Sequence, residues 1–343
     1  MRETDFYSNR CIWFVAKVGV VGVGSMGQNH ARLYSELADL IGVFDLDMAM
    51  GKKVAKRFGS IAYDDLDAFL SNMEAISICT PTEMHYEVAV KAMEHGVHVL
   101  LEKPFTGSSE KAIRLCRLAE EKGVALAAGF VERCNPVVSA AREALAEGMF
   151  GQVISMASRR VSSFPARIRD VGVIMDLAIH DIDVMRYITS ARVASVYALG
   201  GRFSHPPFED YVDLFMEMDS GVICFVEANW LTPMKVRRVS LTCSQGFVEL
   251  DYIDQSLTVC STRFRDIDPG DMFHVPLEEE VRRISIKKEE PLRRELDSFL
   301  EAVDGKGRPT ADGREAVANL MVSEAALRSL KERGRVEVPA VDF

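Results

Sequence analysis

The sequence predicts a two-part α/β protein, an N-terminal doubly wound unit with a parallel sheet followed by an α+β unit with a mostly antiparallel open sheet. Three observations carry this. From Lys17 onward, short apolar runs alternate with amphipathic stretches, the pattern of βαβ units with right-handed crossovers. Beyond Gly151 the strands follow one another directly, separated by turn signals such as Asp219-Ser220-Gly221 and Ser244-Gln245-Gly246. The length, 343 residues, exceeds that of one ordinary domain.

The first strand, 17–22, is apolar and rich in valine, as a strand covered on both faces must be. Helix 26–38, strand 40–45, helix 48–58, strand 75–79, helix 83–95, strand 97–101, helix 108–122 and strand 124–130 continue the alternation. Helix 136–147 stops at Gly148, so the units are expected to span 17–148 and 149–343, with residues 1–16 as an extension. In the second unit strands are expected at 153–161, 193–203, 211–218, 222–231, 236–243, 246–252 and 256–263. One helix, 175–189, interrupts them, and helices 290–303 and 312–333 close the chain.

Composition narrows the function. Apolar residues make up 48% of the chain, ample for two cores, and the net charge of -10 argues against a nucleic-acid groove, which needs a dominant basic face. No segment approaches the roughly 18 uninterrupted apolar residues of a membrane span, and the N-terminus lacks a signal-peptide layout. A cytoplasmic protein with neither nucleic-acid nor membrane partner is expected. The seven cysteines are scattered without CxxC spacing, which suggests neither a disulfide frame nor a zinc knuckle; they read as small buried hydrophobes.

Gly22-Val23-Gly24-Ser25-Met26-Gly27 lies between the first strand and the first helix, the context that a dinucleotide fingerprint requires. Gly22 permits the tight turn, Gly24 lets a pyrophosphate approach the backbone, and Gly27 lets the helix pack on the strand. Ser25 and Met26 open the helix, whose N–H groups and partial positive charge face the phosphates. The first unit is thereby expected to be a Rossmann domain. Asp45 closes the second strand, where a carboxylate accepts hydrogen bonds from both ribose hydroxyls and repels a 2′-phosphate; this favours NAD over NADP. The alternative is that Asp45 caps the next helix, for which Asp47 is also available.

Two further motifs carry titratable groups. In His98-Val-Leu-Leu-Glu-Lys-Pro104, Lys103 sits at the carboxyl end of a buried strand, where an open parallel sheet forms its ligand crevice. A desolvated lysine joins acid/base chemistry near neutral pH; the plain alternative is a surface lysine after a strand. On the helix expected at 175–189, Asp176 and His180 are four apart and share a face, with Asp183 three beyond. Flanking carboxylates are expected to fix the tautomer and raise the basicity of His180, as suits a general base. The alternatives are a satisfied helix histidine, or a metal pair for which no third or fourth ligand stands out, so no metal is expected.

Arg159, Arg160, Arg167 and Arg169 cluster around Phe164-Pro165, just before the His180 helix. Arginine forks match phosphate oxygens, so Arg160, Arg167 and Arg169 are candidates for an anionic substrate group such as the diphosphate of a sugar nucleotide. A solvated loop pairing with surface carboxylates is the alternative. Arg133 and Asn135, after strand 124–130, are expected to face the same crevice and hold sugar hydroxyls.

Taken together, the fingerprint at 22–27, Thr80-Pro81, Glu102-Lys103-Pro104 and Asp176-x3-His180 resemble the glucose–fructose oxidoreductase, inositol dehydrogenase and MocA (Gfo/Idh/MocA) family over residues 17 to about 335. The resemblance implies an NAD-dependent oxidoreductase in which His180 is the base, Lys103 orients the hydroxyl or relays its proton, and Asp176 binds substrate or tunes the histidine. It implies that Thr80, Pro81, His85 and Glu102 line the nicotinamide side. It also implies a homodimer or homotetramer built through the C-terminal sheet. Glycines often flank the family's matching aspartate, whereas Val173 and Ala178 stand nearby here, which leaves the substrate class open. The stretch 159–183 resembles the branch of UDP-N-acetylglucosamine 3-dehydrogenases. An inositol or free-sugar dehydrogenase is the enzymatic rival. An NAD-dependent glycosidase or a non-catalytic NAD-binding regulator is the rival of another class; a regulator has little reason to keep Lys103, Asp176 and His180 together.

Overall fold

The structure, a computed structural model, describes residues 16–165, 171–204, 207–264 and 277–341. Arg167, Arg169 and the expected extension up to residue 15 lie outside the described residues.

Six strands, β1 (Lys17–Val21), β2 (Asp39–Phe44), β3 (Ile61–Tyr63), β4 (Ala75–Ile78), β5 (His98–Glu102) and β6 (Leu126–Gly129), form the first sheet. They pair in parallel in the order β3-β2-β1-β4-β5-β6, so the chain reverses direction at β1 and opens a crevice beyond the strand ends there. Between them run α1 (Ser25–Leu37), α2 (Met48–Phe58), the short α3 (Leu66–Leu70), α4 (Thr82–Glu94) and α5 (Ser109–Lys122), with α6 (Pro136–Ala146) after the sheet. Local chemistry sets the ends. Asp47 accepts from the backbone N–H groups of Ala49 and Met50 at the start of α2, and Gly59 closes it in the left-handed region at φ 72°.

The second sheet has nine strands: β7 (Val153–Ser163), β8 (Val193–Gly201), β9 (Tyr211–Met218), β10 (Ile223–Asn229), β11 (Leu231–Cys243), β12 (Gly246–Asp251), β13 (Ser256–Phe264), β14 (Leu277–Ser285) and β15 (Val336–Glu337). Their order is β14-β13-β12-β11-β7-β10-β9-β8-β15, antiparallel throughout except for β7 beside β10. One face buries Met156, Val226, Leu214 and Leu241 against α7 (Ile179–Thr189) and its neighbours. The other face leaves Tyr211, Phe215, Ile223 and Phe247 exposed. Strands β3, β14 and β15 and helix α3 were not expected from the sequence. A break in register between Leu231 and Val236 lies within one long β11, which begins at Leu231 and so takes in the residues before the expected strand 236–243; the expected strand 222–231 ends earlier, at Asn229, as β10.

Helix α8 (Pro291–Val303) leaves the second sheet for the first half, and α9 (Gly313–Glu332) bridges the two. Leu292, Leu296 and Phe299 of α8 share one apolar cluster with Val18, Val20, Leu33 and Leu100 of the Rossmann half. Along α9, Ala316, Val317 and Leu320 join the first half's core and Val322, Ala325 and Ala326 the second's. The expected unit 149–343 thus sends its tail back across the first. Phe299 has no exposed surface, so Phe299→Ala is predicted to cost about 3 to 5 kcal/mol in urea unfolding; a loss under about 1 kcal/mol would mean that α8 packs loosely on the Rossmann half.

Candidate active site

Lys103 follows the last residue of β5, and what holds that strand end is buried below it. Glu102 turns its carboxylate inward, 3.0 Å from His30 Nε2 on α1, and accepts from the Lys103 backbone N–H at 3.1 Å. His30 Nδ1 lies 2.9 Å from Ser77 Oγ, which lies 2.8 Å from the Tyr34 hydroxyl. Burial opposes ionisation of Glu102, but His30 and Lys103 outweigh it and hold the carboxyl below its ordinary range. Glu295 of α8 lies in the same cluster, with its own, His30 and Glu102 ligand atoms within 4.8 Å of one another. Burial first, then Glu102 and Asp183, push Glu295 well above the ordinary carboxyl value, so Glu102 ionises ahead of Glu295. Glu102 therefore braces Lys103 from beneath, where the family resemblance placed it beside the nicotinamide.

The lysine side chain crosses to the second half of the protein. Its Nζ donates to Asp176 Oδ1 at 2.6 Å and to the Asp176 carbonyl at 3.1 Å, with both side chains largely buried. Asp176 sits in a π-helical turn, Ile174–Ala178, that runs into α7. The Ile179 N–H reaches the Ile174 carbonyl, a wider step than an α turn. Asp176 and His180 consequently form no hydrogen bond with each other, contrary to the expected helical pair.

His180 itself corrects the sequence reading. Its neighbouring carboxylates are all engaged elsewhere: Asp176 by Lys103, Asp181 by Arg160 at 2.6 Å, and Asp183 by Arg133 at 2.9 Å and Asn319 at 2.6 Å. What faces the ring is cationic. Burial, followed by Lys103, Arg160 and Arg237, holds the imidazole well below its ordinary value, so its basicity is lowered rather than raised and the ring is neutral at pH 7. Among the described residues Nδ1 has no hydrogen-bond partner and is sealed from solvent, which leaves Nε2 available to a bound hydroxyl.

Three expected substrate contacts are corrected too. Arg133 is buried, with Nε 2.9 Å from both Asp183 oxygens and Nη2 2.7 Å from Glu315, over the Tyr187 ring. Asn135 caps α6 through the Val137 N–H and donates to the Tyr252 carbonyl. Arg160, 1% exposed, is committed to Asp181 and Glu132. All three hold the elements around the crevice, and none is free to meet a substrate. Strand alternation separates Arg160 from Arg159, which points to the other face and pairs with Glu227. Arg237 was missed from the sequence. It lies directly across from Arg160 in the β7–β11 register, beside His180, and nothing in the linear pattern of β11 marks it.

The other half of the site fits a dinucleotide. Gly22 adopts φ 82°, and a Cβ on Gly27 would lie 1.9 Å from the Gly22 carbonyl oxygen, so α1 packs onto the loop only with glycine there. A Cβ on Gly24 would meet nothing within 4 Å, and α1 has no side-chain cap, which leaves its first N–H groups, at Ser25, Met26 and Gly27, open to a phosphate. Asp45 accepts from the Val23 N–H at 2.7 Å and the Asp47 N–H at 2.8 Å; Asp47, not Asp45, caps α2. Thr80 Oγ1 is buried without a partner among the described residues. His85 joins the two loops below, within 2.9 Å of the Thr80 and Pro104 carbonyls, and Pro81 starts α4 between them. These residues would hold NAD, with an acidic ribose contact and a polar pocket wall.

Fold and site together define a pyridine-nucleotide oxidoreductase. Residues 16–130 match the oxidoreductase family with an NAD-binding Rossmann fold, and residues 138–249 match the GFO/IDH/MocA C-terminal domain. The chain belongs to the Gfo/Idh/MocA family. It is 32% identical to a UDP-N-acetylglucosamine 3-dehydrogenase of Acidithiobacillus ferrooxidans, over 91% of this chain and 95% of that protein. To a scyllo-inositol 2-dehydrogenase (NAD(+)) of Bacillus subtilis it is 28% identical, over 92% and 94%. A solved structure of the Acidithiobacillus enzyme superposes with a TM-score of 0.84 at 29% identity, covering 92% of this chain and 98% of that one. Among the described residues no helix is long and apolar enough to cross a membrane. For the cofactor end of the site, Asp45→Ser is predicted to weaken NAD binding and to narrow the preference over NADP at least tenfold in fluorescence titrations; an unchanged ratio would remove Asp45 from the ribose.

Proposed function

We propose that this protein oxidises a secondary hydroxyl of a nucleotide sugar to a ketone, as a UDP-N-acetylglucosamine 3-dehydrogenase does, with NAD as oxidant. The observation that carries the reading is the Lys103–Asp176 ion pair beside a neutral, buried His180 at the carboxyl end of β5. Support for the sugar comes from the 32% identity over nearly the whole length of a UDP-N-acetylglucosamine 3-dehydrogenase. NAD bound at the glycine loop supplies a hydride acceptor.

The chain's own groups handle the oxygen and its proton. Lys103, steadied by Asp176 in front and Glu102 behind, donates to the substrate oxygen and favours its alkoxide character. His180 accepts the hydroxyl proton at Nε2 while the carbinol carbon gives up its hydride, so one C–H and one O–H bond break and one C=O bond forms. A neutral imidazole is the competent form, and the cations around His180 keep it so. The buried network of Arg133, Arg160 and their acids fixes α7, and with it the base, against the crevice.

Lys103→Met and His180→Gln are each predicted to lower turnover by at least about 10²-fold, with NAD affinity kept within about threefold; unchanged turnover in either would contradict the assignment. A 340 nm screen of UDP-sugars, inositols and free sugars tests the substrate. NADH formation with UDP-N-acetylglucosamine alone is expected. Activity confined to inositols would favour the second reading, a polyol dehydrogenase, which the Bacillus subtilis relative supports.

The exposed apolar face of the second sheet, with Tyr211, Phe215, Ile223 and Phe247, is assigned here to contact with further copies of the chain. Phe215 and Phe225 pack together on it at 5.2 Å between ring centres. Phe215→Lys with Ile223→Lys is predicted to shift the mass in solution from dimer or tetramer to monomer; a wild-type monomer would refute the assignment.

A further inference from the structure

Among the described residues the anionic part of the substrate is left without its expected partner, because Arg160 is committed to Asp181 and Glu132 inside the protein, while Arg167 and Arg169 lie outside the described residues. The structure offers another pair of cations. On β11 Leu241 and Val239 are core residues, and two positions before Val239 in the same row comes Arg237; Lys235, just before the paired stretch resumes, is close enough to interact with Arg237, Glu132 and Arg160. Arg237 lies across from Arg160 in register, and its Nη1 is 3.1 Å from Glu132 Oε1. Arg160 uses that same oxygen at 2.9 Å, so a single carboxylate serves two guanidiniums. Lys235 lies on the bulge around Pro233, where the pairing of β11 with β7 is interrupted between Leu231 and Val236. It is exposed, and among the described residues it forms no ion pair.

Beside β11 the charges do not cancel. Arg160, Arg237 and Lys235 stand against Asp181 and Glu132, whereas Lys103 is answered by Asp176 and Glu102. A chain of net charge -10 thus keeps a local excess of positive charge on this edge of the crevice. Its effect reaches both ends: Arg237, ahead of burial, pushes the Lys235 ammonium down, and Arg237 is among the cations that depress His180. Cations that outnumber the carboxylates between them favour an arriving anion, and a fork plus a point charge suits phosphate oxygens.

We propose that Lys235 and Arg237 form the anion subsite of this enzyme, holding the diphosphate of a sugar nucleotide while the reacting hydroxyl lies between Lys103 and His180. The proposal rests on the nucleotide-sugar reading above and takes the place of Arg160 as a diphosphate contact.

The test is calorimetric titration of the protein, saturated with NAD so that the dinucleotide site is filled, with UDP and with inorganic pyrophosphate. Both ligands are expected to bind, and Lys235→Met and Arg237→Gln are each expected to raise their dissociation constants at least tenfold. Lys287→Met removes an exposed lysine paired with Glu289 away from the crevice and is expected to keep the wild-type affinity. Because Lys235 is exposed, its substitution leaves the fold intact and keeps the test decisive if Arg237→Gln fails to fold. Wild-type protein that binds neither ligand, or Lys235→Met protein that binds both as tightly, would overturn the subsite. UDP bound through Lys235 with no NADH formed from any UDP-sugar would instead leave the subsite standing and refute the proposed reaction.

Discussion

The ion pair between Lys103 and Asp176 ties the two halves of this protein together at the point where their chemistry meets. Lys103 belongs to the end of a Rossmann strand and Asp176 to the π turn that launches α7 from the second sheet, and they meet at 2.6 Å. Removing one partner from a buried pair costs about 3 to 5 kcal/mol, because the other is left charged without compensation. That magnitude makes the pair a registration device as well as a reactive one. It sets where His180 stands relative to the strand end, and the Glu102–His30–Ser77–Tyr34 chain behind it keeps the lysine from retreating.

Around this pair the protein arranges an unusual balance. Each carboxylate near His180 is claimed by a different cation, and burial, followed by Lys103, Arg160 and Arg237, makes the ring a weak base. The neutral ring is in the form that accepts a proton, and its lowered basicity is the cost, which the alkoxide character favoured by Lys103 offsets. The same cations raise the local positive potential beside the ring. Base neutrality and anion attraction are thus two effects of one charge distribution, and a substitution that alters one alters the other.

The parts of this arrangement that were legible in the sequence are those set by local constraint. The glycine loop declares itself because Gly22, Gly24 and Gly27 each answer a backbone requirement within six residues, and Lys103 because a proline ends its strand. The parallel and antiparallel halves follow from the order of apolar runs. Pairings across long separations were not legible. Arg159 and Arg160 read as one basic patch, yet strand alternation sends Arg160 inward to Asp181 and Glu132, 21 and 28 residues away. Asp183 reads as a partner of His180, yet it answers Arg133, 50 residues back. The amphipathic pattern of α8 shows that Phe299 is buried but not in which core, and a three-residue strand such as β3 is too short to show a period.

The protonation state of His180 in the NAD-bound protein tests this account most directly. It can be followed by the nitrogen chemical shifts of the ring from pH 8 downward, with the signal assigned by its loss in His180→Gln. The prediction is a neutral imidazole at pH 7 that begins to protonate only well below the ordinary value of about 6.5. A midpoint at or above 6.5 would show that carboxylates rather than cations govern the ring, and would contradict the mechanism built on the Lys103–Asp176 pair.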